Sequence, residues 1–373
     1  SSVSQLPENW NELAVSTIFL SKEYLAILEK SAPANMSCHF IGLYEKETLV
    51  GIAVSQFLDL NQLESFGERD QCIKSSVRNI LFKNFCSHIL LIGNNTLTGQ
   101  NAFVISEKTN QTEVLKTLKK AVLALKAIFK NKGKKVHLCT LKDFCEDEIS
   151  RFEIPEFNPY LRFSTQPNMI FTVRDNWKTE EDYVAALSKK YRDQYKRTRK
   201  KAIGLVKKQL SLEEIIAQEA VIYDLYYHVA KSAPFNTFFL PKDHFAVFKE
   251  QLQENFLFYG YFENEKLIGF NTLIKNGSDL DTYFLGYDDS IQREKMLYLN
   301  MLYDMIGYAI KEQFDTIIFA RTALEIKSSV GATPLKMYGL MRHDNQFINR
   351  RLDFFFRYLE PETVWKERHP FQD

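Results

Sequence analysis

Two twelve-residue stretches, FIGLYEKETLVG at 40–51 and FYGYFENEKLIG at 258–269, repeat one another far apart in the chain. Phe40/Phe258, Gly42/Gly260, Glu45/Glu263, Glu47/Glu265, Leu49/Leu267 and Gly51/Gly269 are identities, and Tyr44/Phe262 and Val50/Ile268 are near matches. The same order of patterns follows each copy. After the first come AVSQFLDL (53–60), HILLIGN (88–94), the helix-like EVLKTLKKAVLALKAIF (113–129) and KVHLCTL (135–141). After the second come FNTLIKN (270–276), LDTYFLGYD (280–288), KMLYLNMLYDMIGYAIKEQF (295–314) and DTIIFART (315–322). A whole βββαβ segment is repeated, which predicts one small fold used twice.

Local chemistry supports the unit. Short charged turns separate strands rich in aromatic and β-branched residues, and Gly51 and Gly269 suit sites where another backbone packs closely. Leu299, Leu302, Tyr303, Ile306 and Ile310 recur at helical steps and define one apolar face. Three antiparallel strands, a covering helix and a parallel fourth strand make an α/β or α+β layer.

A chain of 373 residues with 45% hydrophobic content is long enough for about two domains. Residues 155–180 carry two apolar strand-like runs and three prolines, which places a boundary there and predicts domains at 1–165 and 166–373. The net charge of +1 points to no class of partner. No apolar run reaches the roughly 18 residues of a membrane span, and SSVSQLPENW lacks a signal pattern, so a soluble cytoplasmic protein is expected. Cys38, Cys72, Cys86, Cys139 and Cys145 include no C-x-x-C pair. They read as neutral thiols, with no disulfide framework, metal or tightly bound cofactor indicated.

Residues 189–201 hold eight basic side chains and one acidic one, Asp193. The density fits a solvated helix face or an anion site in which Arg192 and Lys196 meet the phosphates of a cofactor or of RNA. Tyr191 and Tyr195 share a face and fit core packing better than base stacking.

With the repeated unit and the helix LSKKYRDQYKRTRKKA between its halves, the chain resembles the acyltransferase fold of the GNAT superfamily used in tandem, as in the FemAB-like group. The stretch ARTALEIKSSVGATPLKMYGLMRHDN (320–345) is similar to one in GNAT-type proteins of uncertain substrate, and the likeness is strongest from Ser188 to Phe371. It implies transfer of an acyl or aminoacyl group to an amine, from acyl-CoA, acyl carrier protein or aminoacyl-tRNA. It also implies a splayed pair of central strands, one of which, LDTYFLGYD, pairs with the donor's pantetheine arm. Strict alternation places Asp281, Tyr283, Leu285 and Tyr287 on one face of that strand. Tyr283 would protonate a leaving thiolate, and Asp281 would orient or deprotonate the amine.

The chain departs from the GNAT pattern after this strand. Where a Q/R-x-x-G-x-G/A loop would hold pyrophosphate, DDSIQREKMLYLNMLY offers Gln292 and Arg293 but no glycine. The first copy offers Gly93 and Gly99 without a basic residue. Arg321 directly follows the strand TIIFA, where open sheets place ligands. Arg321 and Lys327 could hold a carboxylate or phosphate, with Glu325 as base. Arg342, His343 and His228 are further candidates, histidine being the side chain that ordinarily titrates at about 6.5. The first half lacks the Arg-x-x-x-Glu-x-Lys cluster and reads as a worn copy, so the second half is expected to form the active cleft and the first its roof. The alternatives are a GNAT pair that binds without turnover and a nucleic-acid-binding module built on the basic helix.

Overall fold

The computed structural model describes residues 2–62, 87–233, 236–354 and 365–372. Its backbone divides into two compact units. The first comprises Ser1–Thr165, Ala233–Pro241 and Lys336–Thr363, and the second Gln166–Ser232, Lys242–Leu335 and Val364–Asp373.

In the first unit, strands β1 (Met36–Glu45) and β2 (Thr48–Asp59) form the repeated hairpin. β3 (His88–Ile92) is antiparallel to β2, and β4 (Phe103–Ile105) also pairs with β2. Helix α1 (Gln111–Asn131) is capped by Asn110, whose side chain accepts from the amides of Thr112 and Glu113. It leads to β5 (Leu138–Phe144), parallel to β3. Tyr338–His343 adds an antiparallel strand beside β5.

The second unit repeats this plan. β6 (Leu161–Thr172) is followed by α2 (Glu180–Ala186), α3 (Lys189–Lys201) and the edge strand β7 (Val206–Gln209). After α4 (Glu219–Lys231) and α5 (His244–Leu252) come the hairpin β8 (Phe256–Glu263) and β9 (Lys266–Asn276), then β10 (Asp279–Tyr287). Helices α6 (Asp289–Lys295) and α7 (Leu297–Lys311) lead to β11 (Thr316–Ala320), parallel to β10. Helix α8 (Leu324–Ser329) precedes β12 (Thr333–His343), of which only Thr333–Leu335 belong to this unit, the rest being the strand beside β5 in the first. The sheet order is β6, β11, β10, β9, β8, β7. Residues 161–172 form one strand instead of the two runs expected. Pro167 lies outside the Met169–Thr172 ladder with β11, so its missing N–H leaves no gap there.

The sequence repeat has a physical basis in the two hairpins. Both shift register at the same point, between Leu43 and Tyr44 and between Tyr261 and Phe262. At both, the aromatic ring after the shift folds over the glycine two residues earlier, against the leucine of the facing strand. A Cβ on Gly42 would lie 3.0 Å from Tyr44 Cε2 and 3.2 Å from Leu49 Cδ1; on Gly260 it would lie 2.8 Å from Phe262 Cε2 and 3.0 Å from Leu267 Cδ1. The glycine, the aromatic and the leucine are therefore one packing unit, retained together in both copies.

Leu299, Leu302, Tyr303, Ile306 and Ile310 all lie in the core of the second unit, with Tyr183, Phe171 and Ile317. The first unit has its own core around Phe57, Leu118, Phe129 and Phe144. The thiols of Cys38 and Cys139 are pushed up by burial to about 12 and about 11, and burial also raises that of Cys145, so all three are neutral. Cys72 and Cys86 lie outside the described residues. No described helix is long and apolar enough to cross a membrane, and no described cluster of His, Cys, Asp and Glu suits a metal ion.

Candidate active site

The ladder between β10 and β11 runs only over Asp279–Asp281, opposite Thr316–Ile318, and the hydroxyl of Thr282 closes it by donating to the Ile318 carbonyl at 2.9 Å. On its other edge β10 keeps pairing with β9 as far as Tyr287, through a register shift between Thr282 and Leu285. The extra residue there overturns the strict alternation expected. Thr282, Leu285 and Tyr287 oppose Leu273, Asn271 and Gly269, whereas Asp281 opposes Ile274 on the other face. A bulge places two successive residues where the pleat would place one, which frees Tyr283 and Phe284 to aim at the helices.

Tyr283 meets α5. Its hydroxyl lies 3.0 Å from His244 Nε2, and its ring stacks on Phe248 with centroids 4.7 Å apart. His244 is the first residue of α5 and is buried. Sequence reasoning missed it, because a lone histidine on an apolar helix face carries no local signal of a partner in a strand 39 residues later. Phe284 packs edge-on against Tyr226 of α4. Here Gly286 is needed, since a Cβ would lie 2.6 Å from the backbone of Leu225 and Tyr226.

Asp281 is buried, and its carboxyl is pushed up to about 7, chiefly by burial; Asn276, donating at 3.3 Å, works in the opposite direction. A carboxyl of this kind changes charge near neutrality and can serve as acid or base. Tyr287 is half-buried, and burial raises its hydroxyl.

At the end of β11 the backbone takes left-handed conformations at three non-glycine residues, Ala320, Thr322 and Ala323, with φ of 59°, 69° and 48°. Such conformations cost of order 1–3 kcal/mol each and persist where neighbours impose them. Lys327 is one such neighbour. Its buried ammonium donates to the carbonyls of Ala320 at 3.3 Å and Arg321 at 2.7 Å, and burial pushes its pKa down to about 7. Burial also pushes Arg321 down to about 10. Glu325, two residues before Lys327, is half-exposed and ion-paired with Arg368, whose guanidinium holds the carboxylate below its usual range. It is therefore a poor base, and Lys327 is a backbone clamp, not an exposed anion ligand.

The basic helix α3 has two faces. Tyr191 is buried, and Tyr195 is half-buried with its hydroxyl 2.9 Å from Glu180 Oε1. Arg199 bonds Asp304 at 2.6 Å and also Glu180. Burial works against its charge, but these carboxylates outweigh it and hold the guanidinium above its usual range. Arg192 donates to the Leu187 and Ala185 carbonyls at 2.6 and 3.2 Å, capping the end of α2 rather than facing a ligand. Lys196, Arg197, Lys200 and Lys201 are exposed.

His228 is exposed and lies 2.9 Å from Asp289 on α6. Gln292 and Arg293 are on α6, at whose start Asp288 accepts from the Ser290 amide at 3.0 Å. The Ser290 amide is thus satisfied by a carboxylate of the chain itself and is not free to meet a phosphate. Arg342 and His343 belong to the first unit, on the strand opposite Cys139 and Leu138, and His343 Nδ1 accepts from the Asn345 amide at 3.0 Å. They are placed with β5.

No protein-family model matches the sequence, and no curated protein does. Among solved structures the chain is similar to FemX, with a TM-score of 0.53 at 11% identity over 93% of this chain and 98% of that one. It is also similar to the tandem GNAT protein from the clavulanic acid biosynthesis pathway, with a TM-score of 0.50 at 9% identity over 92% and 95%. A conserved protein of unknown function from Bacteroides thetaiotaomicron gives 0.50 at 12% identity over 90% and 96%. At these identities the likeness concerns fold alone, and it agrees with the duplicated hairpin, strand, helix and strand described above: the chain has a tandem GNAT fold.

Proposed function

We propose that the second unit is an N-acyltransferase that takes an acyl group from a pantetheine thioester and passes it to an amine. The observation carrying this reading is the parting of β10 from β11 just after Asp281 and Ile318, beside a tyrosine and a histidine held together. An extended pantetheine arm would add to the edge of β10 as a further strand does, through backbone hydrogen bonds. The amine nitrogen would attack the thioester carbonyl, forming the C–N bond and then breaking C–S. Asp281 would accept the proton lost by the amine, and Tyr283 would give its proton to the leaving thiolate and recover one through His244. Because Asp288 occupies the start of α6, any phosphates on the donor would rest on side chains, and the exposed cations of α3 supply them. Those same cations favour a second reading, in which the donor is an aminoacyl ester of tRNA.

The test is release of free thiol from acyl-CoA and from acyl carrier protein with a panel of amines, for the wild type and for Tyr283→Phe. A positioned acid contributes about 10²–10⁴ in rate, so the variant should lose that factor in kcat with little change in KM. Thiol release that survives Tyr283→Phe and Asp281→Asn unchanged refutes the assignment. Amide formation from aminoacyl-tRNA alone would replace it with the second reading.

A further inference from the structure

The outer face of α1, in the first unit, plays no part in the chemistry above. Val114, Leu115, Leu118, Val122 and Phe129 hold the helix to its core. On the opposite side Leu123, Ala124, Ala127 and Ile128 are exposed among the described residues, with Leu123 at 48% and Ile128 at 45%. Residues three and four apart are neighbours on a helix, so these four make one apolar stripe.

Charge surrounds the stripe. Residues 111–135 include eight lysines and one acidic residue, Glu113, in a chain whose net charge is +1. Lys116 is engaged by Glu113 and Lys126 by Asp344. Lys120 lies exposed one turn before the stripe, and Lys130, Lys132 and Lys135 lie exposed just after it. Apolar side chains are thus bracketed by cations on the helix and just past its end.

We propose that this face docks on an anionic phospholipid surface, with Leu123 and Ile128 entering the boundary between headgroups and acyl chains and the lysines meeting the lipid phosphates. A lysine rim around an apolar stripe complements a negative layer over an apolar interior, and lysine stems reach outward while covering apolar surface. A second copy of the chain is a poor match, since two such faces would set lysine against lysine. RNA is also a poor match, because the stripe has no aromatic ring for bases to stack on.

The experiment is sedimentation of the full chain with vesicles of phosphatidylcholine alone and with vesicles that also contain phosphatidylglycerol. The expected result is binding to the second set only, weakening as salt shortens the screening length from about 10 Å at 0.1 M to about 3 Å at 1 M. Replacing Lys120, Lys130 and Lys132 with Gln should weaken binding by roughly a hundredfold. Leu123→Gln with Ile128→Gln should also weaken it while leaving all the lysines in place. All five positions are exposed, so each variant should keep the wild-type melting temperature; should one fail to, the other still decides the matter. Absence of binding to anionic vesicles overturns the proposal, as does equal binding to neutral ones or binding that neither variant reduces. Self-association lost in the Leu123→Gln, Ile128→Gln variant would assign the stripe to a second copy and equally overturn it.

Discussion

Asp281 and Lys327 are buried ionisable groups of opposite sign, and each is pushed toward about 7 by burial. Their effects on stability fall in different pH ranges. The folded-state pKa of Asp281 is raised, so the folded state retains a proton that the unfolded chain loses. Its contribution is fully present below the ordinary value of 3.8 and is lost as pH rises to about 7. Lys327 is depressed, so its burial costs most below about 7, and stability is regained as pH rises from there toward 10.5. Thermal unfolding of Asp281→Asn should therefore lack the loss of stability between pH 4 and 7, a tenfold difference in proton affinity between the folded and unfolded chain being worth about 1.4 kcal/mol. A variant that keeps this slope would show that the carboxyl does not carry it. As the proposed proton acceptor Asp281 works ionised, so kcat should rise with pH through about 7. Asp281 and Tyr283 were legible as polar residues on an apolar strand. The pairing of Glu325 with Arg368 and of Tyr283 with His244 was not, because each joins elements that only the tertiary fold brings together.

At the scale of the element, strand and helix identity followed from periodicity, whereas side-chain direction in β10 did not. One bulged residue reverses the face of everything after it, and nothing in LDTYFLGYD marks where it falls. The glycines carry the clearest element-level predictions. Gly260→Ala should destabilise more than Gly42→Ala, because its Cβ would meet Phe262 and Leu267 more closely than the equivalent atom meets Tyr44 and Leu49. Overpacking of this kind costs typically about 1–3 kcal/mol. Gly286→Ala should cost more than either, since the obstruction is the backbone of α4 and not a ring that can turn. Denaturant unfolding of the three variants ranks them directly, and a Gly286→Ala chain as stable as the wild type would contradict the packing of α4 on β10.

At the scale of the molecule, the repeat announced two copies of one unit, and their shared register shift and glycine packing explain which residues it kept. The assignment of Lys336–Thr363 to the first unit had no local signal, because strand propensity does not say which sheet a strand joins. The two copies differ where chemistry is proposed. β3 runs into Gly93 and a loop whose Asn94 and Leu97 carbonyls accept from buried Lys142 at 3.1 and 3.0 Å, whereas β10 parts from β11 beside Tyr283. Asn94→Ala should lower stability while leaving kcat within a few-fold of the wild type, in contrast to Tyr283→Phe. The most direct measurement is hydrogen exchange of the full chain with and without an S-acyl pantetheine, which carries the proposed donor arm and no nucleotide. If β10 binds the donor arm, exchange slows over Leu285–Tyr287 and not at residues 93–97; protection confined to the first unit, or none over Leu285–Tyr287, would contradict this.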